Sequence, residues 1–376
     1  MKKIILSAAI IIPLVWLVNF YWQNLRGLKP AILPAPAIPT STQSPGINST
    51  GLPLSLPKGF SISIFASDLG NPRDLEFDPT GNLLVSIPSR GQVVLLPDKK
   101  IIVSGLNRPH GLAYTNGHLY IAEEDKVTID GKKILDLPEG GNHVTRSLLV
   151  KDNQLYISIG SSCNVCHEPD PHRAAIYVSN LDGSSFRSFA TGLRNSVFMT
   201  LDSQKNIWAT DMGRDLIGND TPPDEINIIG EGNYGWPICY GQNIHDTNFD
   251  KNTYIRNPCQ EPLEKPSFID LPAHSAPLGL AFIPDSWPQN YRGKLLVAYH
   301  GSWNRNPPTG YKIVIIDPKT KQITDFITGF EPKADQPLAG ALGRPVDLIF
   351  DSSGNLYVSD DKKGVVYQVI PPTPEP

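Results

Sequence analysis

The 376-residue chain has no surplus of positive charge: 33 Lys and Arg stand against 37 Asp and Glu, a net charge of −4. Recognition of nucleic-acid phosphates needs clustered excess Lys and Arg, so that class of partner is set aside. Methionine is scarce, at 3, and cysteine numbers 4. Also missing is a small-x-small cleavage site close behind the N-terminal apolar run, which extends from Ile4 to Trp22 and is broken only by Ser7, Pro13 and Asn19. That run follows Lys2 and Lys3 and approaches the ~20 residues that a bilayer core requires. Residues 1–27 therefore read as an uncleaved membrane anchor in preference to a cleaved signal peptide. The positive-inside rule then places the remainder outside the cytoplasm, on the periplasmic side or the cell surface.

What is abundant is glycine, at 31, and proline, at 36, many for a helical protein and natural for one of strands and turns. Residues 28–55 are rich in Pro, Ser and Thr and read as an extended linker without its own core. From 56 to 371 one phrase returns: "NPRDLEFDPTGNLLVS" from Asn71, "RPHGLAYTNGHLYIA" from Arg108, "HVTRSLLVKDNQLYISIG" from His143, "RNSVFMTLDSQKNIWATD" from Arg194, "APLGLAFIPDSWPQNYRGKLLVAYHG" from Ala276 and "RPVDLIFDSSGNLYVSD" from Arg344. Each copy is an alternating apolar strand, a turn of Asp, Ser, Asn or Gly, and a second strand. Six such copies, with further strands between them, predict an all-β, six-bladed β-propeller followed by a short tail at 372–376. The stretch from Asp211 to Pro262 must hold long loops, which on a rigid scaffold tend to carry function.

If each copy opens on a blade's innermost strand, the residues before it ring one mouth of the channel. That ring holds Asn71, Arg108, His143 with Val144, Arg194 with Asn195, Ser275 with Ala276, and Arg344. Arginines and a histidine converging on one axis repel one another unless something negative lies between them. The ring thus predicts a planar, polyanionic ligand.

Cys163-Asn-Val-Cys166-His167 matches the C-x-x-C-H pattern of covalent haem attachment. A haem needs an enclosing apolar pocket and usually a second axial ligand, whereas here the motif directly follows a predicted strand. In an exported domain the four cysteines point instead to two disulfides, expected as Cys163 with Cys166 and Cys239 with Cys259, other pairings remaining open.

The phrases "LPKGFSISIFA", "GNHVTRSLLV", "LYISIGSSCNVC", "GLRNSV", "DEINIIGEGNYGWP", "HGSWNRNPPTGYKIV" and "GRPVDLIFDSSGNLYVSDD", in that order, resemble the pyrroloquinoline-quinone (PQQ) dependent glucose/sorbosone dehydrogenases, which include soluble aldose sugar dehydrogenases. The likeness covers Leu56 to Ile370. It implies oxidation of a sugar, sugar-derived alcohol or aldehyde hydrate with PQQ and calcium, electrons leaving to an external quinone or cytochrome. It implies that His143 accepts the substrate hydroxyl proton while hydride passes to the quinone, a role that suits an imidazole. Arg194 and Asn195 match contacts to the cofactor, Arg344 matches a carboxylate clamp, and the main-chain carbonyls of Gly213 and Arg214 match calcium ligands. Asn142 departs from the aspartate of glucose-oxidising members, and the family's cofactor-contacting lysine has no clear counterpart. Arg305 is expected in its place in preference to Lys312, and Trp303 beside it offers a stacking face.

Two other readings stand beside this one. Six-bladed calcium propellers include lactonase-type hydrolases, which hold an axial metal with carboxylates and amides; here the acidic residues nearest the register are Asp74 and Asp347, in a mouth dominated by arginine. Asp224 and Glu225 could hold a second calcium or simply cap a strand. A non-catalytic extracytoplasmic binding propeller explains the repeat and the anchor but not His143 placed with Arg194, Asn195 and Arg344. His110 and His300 read as structural.

Overall fold

Strand after strand in this chain alternates or runs apolar, and each turn between strands carries its own chemistry. In three copies of the repeat the turn is Asp-x-x-x-Asn: the carboxylates of Asp78, Asp202 and Asp351 each accept backbone N–H groups two and four residues on, and the Nδ2 of Asn82, Asn206 and Asn355. The residue before each Asn takes a left-handed φ, as Gly81, Lys205 and Gly354. Such Asx turns reverse the chain locally before any long-range contact forms.

The computed structural model describes residues 14–15, 46–260, 264–331 and 340–373. Apart from Leu14 and Val15, the expected anchor lies outside them, as do the first part of the expected linker and the end of the tail. No helix among the described residues is long and apolar enough to cross a membrane.

Six antiparallel sheets follow one another along the chain as six blades. Their innermost strands are Leu75–Phe77, Leu112–Thr115, Arg146–Lys151, Met199–Leu201, Pro277–Phe282 and Pro345–Phe350. Second strands lie between neighbouring blades and lose alternation: Leu83–Ile87, Ile207–Asp211, Leu295–Tyr299 and Leu356–Asp360 are buried throughout. The sixth blade borrows its outer strand, Ser61–Ala66, from the start of the fold, where it pairs antiparallel with Val365–Ile370. This joins the two ends of the domain and closes the ring.

Neighbouring blades are tied at the inner strands by carboxylates. Asp74 accepts the Leu112 amide, Asp347 the Leu75 amide and Asp224 the Ala276 amide. Asp74 and Asp347 are therefore spent on joining blades. The largest apolar cluster lies between the fifth and sixth blades, where Trp287 is fully buried against Phe60 and Phe326 and donates from Nε1 to the Gly354 carbonyl at 2.7 Å.

One boundary needs correcting. The linker expected to reach residue 55 ends sooner, because Ile47–Asn48 pairs parallel to the outer strand of the sixth blade. Asn48 Nδ2 caps the carbonyls of Leu52 and Leu54, and Leu54 is buried in the core. A segment rich in Pro and Ser docks here because two leucines, Leu54 and Leu56, find apolar cover.

Candidate functional site

Of the residues expected to ring the channel mouth, Asn71, Arg108 and Val144 line one cavity. His143 lies three residues before its strand, beside Gly160, the residue following the second strand of the same blade. A Cβ at Gly160 would fall 2.6 Å from both Asn195 Oδ1 and the His143 Cβ, so only glycine lets these two side chains approach. His143 Nδ1 lies 3.0 Å from the Ser161 carbonyl and 2.8 Å from its hydroxyl oxygen. That hydroxyl donates its own proton to the Cys163 carbonyl at 2.7 Å. Both groups facing Nδ1 must then accept, so Nδ1 carries the proton and Nε2 keeps its lone pair. Burial, reinforced by the Arg194 charge, pushes the imidazole down to about 3 and keeps it neutral.

Arg194 differs from the expectation of a side chain free to grip a ligand. Its Nε donates to the Asn164 carbonyl, Nη1 to the carbonyls of Met212 and Gly213, and Nη2 to Asn164 Oδ1 and Asp215 Oδ2. At 4% exposure, all its N–H donors are spent on protein acceptors. The amides of Arg194 and Asn195 both donate to Asp211, which fixes the pair on the blade.

A cavity of about 360 Å³ opens beside this cluster, lined by Asn71, Arg73, Arg108, His110, Thr145 and Asp361 among others. Arg73 donates from Nη1 to Asp361 at 2.7 Å and from Nε toward His110 Nε2 at 3.4 Å. Asp361 also accepts from His300 Nε2 at 2.9 Å, and against the raising effect of burial its contacts with His300 and Arg73 hold the carboxyl well below the usual range. Arg344 donates to the carbonyls of His300 and Gly301 and lies over the Tyr311 ring. Arg108 pairs with Glu124 yet stays largely exposed. His110 and His300 thus position arginines, in line with a structural role.

The other expected residues, Trp303 apart, are held by partners of their own. Trp303 is 56% exposed, while its neighbour Asn304 donates to Asp215. Arg305 is anchored to the Asn219 and Ala273 carbonyls and to Asp220. Lys312 pairs with Asp325 on its own sheet. The Gly213 carbonyl is shared with Arg194, and the Arg214 side chain turns away into a buried ion pair with Asp246. Glu225 accepts from the Gly241 amide and Asn227 Nδ2, and burial pushes it up to about 7. Both expected disulfides are present, Cys163–Cys166 and Cys239–Cys259. The first leaves no sulfur for a haem thioether, and the His167 ring packs 5.2 Å from that of Phe249.

Arg73, Asp361, Ser161 and Asn164 were not singled out from sequence. Arg73 precedes the blade-tying Asp74 within the first repeat, and Asp361 follows the last residue of a second strand, so both sat one step from positions the register did mark. Ser161 and Asn164 gave no signal, because His143, Arg194 and Asp215, which they meet, come from other loops.

A family model described as TrAA12-like matches residues 54–371. An uncharacterized protein of Borreliella burgdorferi is 33% identical over 84% of this chain and 90% of its own length. A PQQ-dependent pyranose dehydrogenase of Coprinopsis cinerea is 26% identical over 87% of this chain; the match spans 56% of that protein, about half of it. The holo PQQ domain of pyranose dehydrogenase from Coprinopsis cinerea superposes with a TM-score of 0.71 at 21% identity, covering 86% of this chain and 100% of that one. The last likeness establishes the propeller.

Proposed function

We propose, for a chain that belongs to the TrAA12-like family, that it oxidises a pyranose or a related sugar alcohol or aldehyde hydrate using PQQ and calcium. The observation that carries this reading is a neutral imidazole with a bare Nε2 next to a cavity lined by arginine. The donor set fits a flat polycarboxylate. The cavity is within the range of ~300–1,000 Å³ usual for small-molecule sites. Arg73 Nη2 and Arg344 Nη1 have no protein acceptor among the described residues, and Arg108 is open to solvent. Guanidinium groups suit carboxylates through paired N–H donors.

A calcium ion fits here only in company. The Gly213 and Arg214 carbonyls would supply two oxygens, and a carbonyl that already accepts from Arg194 keeps one lone pair. Calcium takes ~6–8 oxygen ligands, so the cofactor's own oxygens and water must complete the set, and their negative charge offsets Arg194 nearby.

Bound together, PQQ and calcium supply a polarised two-electron acceptor for the substrate's hydride. His143 then takes the hydroxyl proton at Nε2, while Ser161 holds Nδ1–H and so prevents the ring from turning. A bound anionic guest would raise the imidazole's proton affinity by offsetting the Arg194 charge, with the larger effect of burial remaining. Trp303 offers an exposed face to a sugar at the rim. Two disulfides support an oxidising, exported location for the domain. Electrons leave to an external acceptor.

The test is reconstitution: the purified protein receives PQQ and calcium, and dye reduction is followed across a panel of pyranoses. His143→Ala is expected to lower kcat by ~10²–10⁴ while PQQ still binds. Lactone cleavage without PQQ, or no turnover of any sugar or alcohol, would overturn the reading.

A further inference from the structure

The motif Cys163-Asn164-Val165-Cys166 is closed by a disulfide and lies directly behind His143. Its first carbonyl, that of Cys163, takes the Ser161 hydroxyl proton. Its second residue, Asn164, is a hub: the backbone carbonyl accepts Arg194 Nε, Oδ1 accepts Arg194 Nη2 and the Asp215 amide, and Nδ2 donates to the Asp215 carbonyl. Asp215 in turn holds Asn304, beside Trp303. Glu168 secures the loop's start by accepting both the amide and the hydroxyl of Ser162. One short loop therefore reaches the base through Ser161, touches the buried guanidinium and, through Asp215, reaches the rim loop of the fifth blade.

We propose that the disulfide-closed loop Cys163–Cys166 is a positioning element of the site, which through Ser161 directs the His143 proton to Nδ1 and through Asn164 holds Arg194 in place. The proposal rests on the functional reading above for its consequence, not for its geometry. The physical reason is directional. A hydroxyl whose proton is committed to the Cys163 carbonyl can only accept from the imidazole. Released from that carbonyl, it can donate to Nδ1 instead, and the imidazole proton then moves to Nε2, where it blocks uptake of a substrate proton. The disulfide shortens the excursions of the four-residue loop and keeps the carbonyl in reach.

The test begins with the cofactor-free protein, observed by NMR of 15N-labelled histidine. Wild type is expected to show His143 protonated at Nδ1 with Nε2 bare. The Cys163→Ser/Cys166→Ser pair is expected to show a population protonated at Nε2, and adding Ser161→Ala to that pair is expected to abolish it, because only the carbonyl acceptor remains. With PQQ and calcium present, the double variant is expected to lose roughly tenfold in kcat with little change in sugar KM. Should the double variant not fold, dithiothreitol acting on folded wild type gives the same readout. Its thiols are oxidised to a disulfide and supply two electrons and two protons to Cys163–Cys166, which is more accessible than the buried Cys239–Cys259 pair. An unchanged His143 tautomer after the loop is opened overturns the proposal, whatever the activity. A changed tautomer in a protein that oxidises no sugar overturns the functional reading and leaves the positioning role standing.

Discussion

At the scale of single residues the structure separates side chains that carry charge to the site from those that only support it. His143 is the sharpest case. Its folded proton affinity lies below that of the unfolded chain, so the unfolded state binds the proton first as pH falls. The stability that this neutral histidine contributes is present above about pH 6.5 and is lost as pH falls from there toward about 3. Across that window the slope reaches ~1.4 kcal/mol per pH unit, and His143→Ala is expected to flatten it in denaturant titrations. The NMR titration of the cofactor-free protein is expected to show no inflection near pH 6.5 at His143 and a higher one once PQQ is added. An inflection at the ordinary imidazole value before addition would mean that the ring is open to water. His143 and Arg344 were legible because the repeat marked them, and the sugar-dehydrogenase resemblance gave them roles. Ser161 was not, since a serine just past the end of a strand looks like any other until its two partners are seen.

At the scale of elements, turns and wedges do most of the organising. The Asp-x-x-x-Asn turns recur in three blades and are readable from sequence alone. The contact between the fifth and sixth blades is not. Trp287 belongs to a long turn of the fifth blade yet donates to Gly354 in a turn of the sixth, and it packs edge-on to Phe350 and Tyr291. Trp287→Ala is expected to cost ~3–5 kcal/mol, measured by chemical denaturation, and to leave the His143 tautomer unaltered because the wedge touches no residue of the mouth. The excursion between Asp224–Ile229 and Ile269–Leu271 likewise escaped local rules: Gly232–Asn233 leaves its own blade and pairs with Arg187–Thr191 of the third. Such an exchange depends on a neighbour in space, which no periodicity records.

At the scale of the whole molecule the ring is closed by strand pairing between its two ends, Ser61–Ala66 on Val365–Ile370. A chain begun at Ser67 would leave the outward row of N–H and C=O groups on Val365–Ile370 unpaired and would remove Phe60 and Ile62 from the largest core cluster, uncovering the side chains they pack against. Such a chain is expected to lose the single cooperative unfolding transition and to associate, as read by calorimetry and light scattering; an unchanged transition would show that blade-to-blade packing suffices without closure. The same closure brings Asp361 of the sixth blade to Arg73 of the first. Cutting the terminal strand therefore also bears on the mouth.

The order of apolar and turn residues was enough to determine six blades, and its register marked the arginine-rich positions that precede the inner strands. Those properties follow from periods and phrases repeated along the chain, and the TrAA12-like family model matches the same stretch, residues 54–371. Only the tertiary structure decided which arginines keep donors free. Arg194 is surrounded by acceptors from the loops at Asn164, Gly213 and Asp215, whereas Arg73 and Arg344 keep donors free. The reason is physical: a guanidinium goes where its hydrogen-bond acceptors lie, and those acceptors come from loops distant in sequence that meet only when the ring is complete.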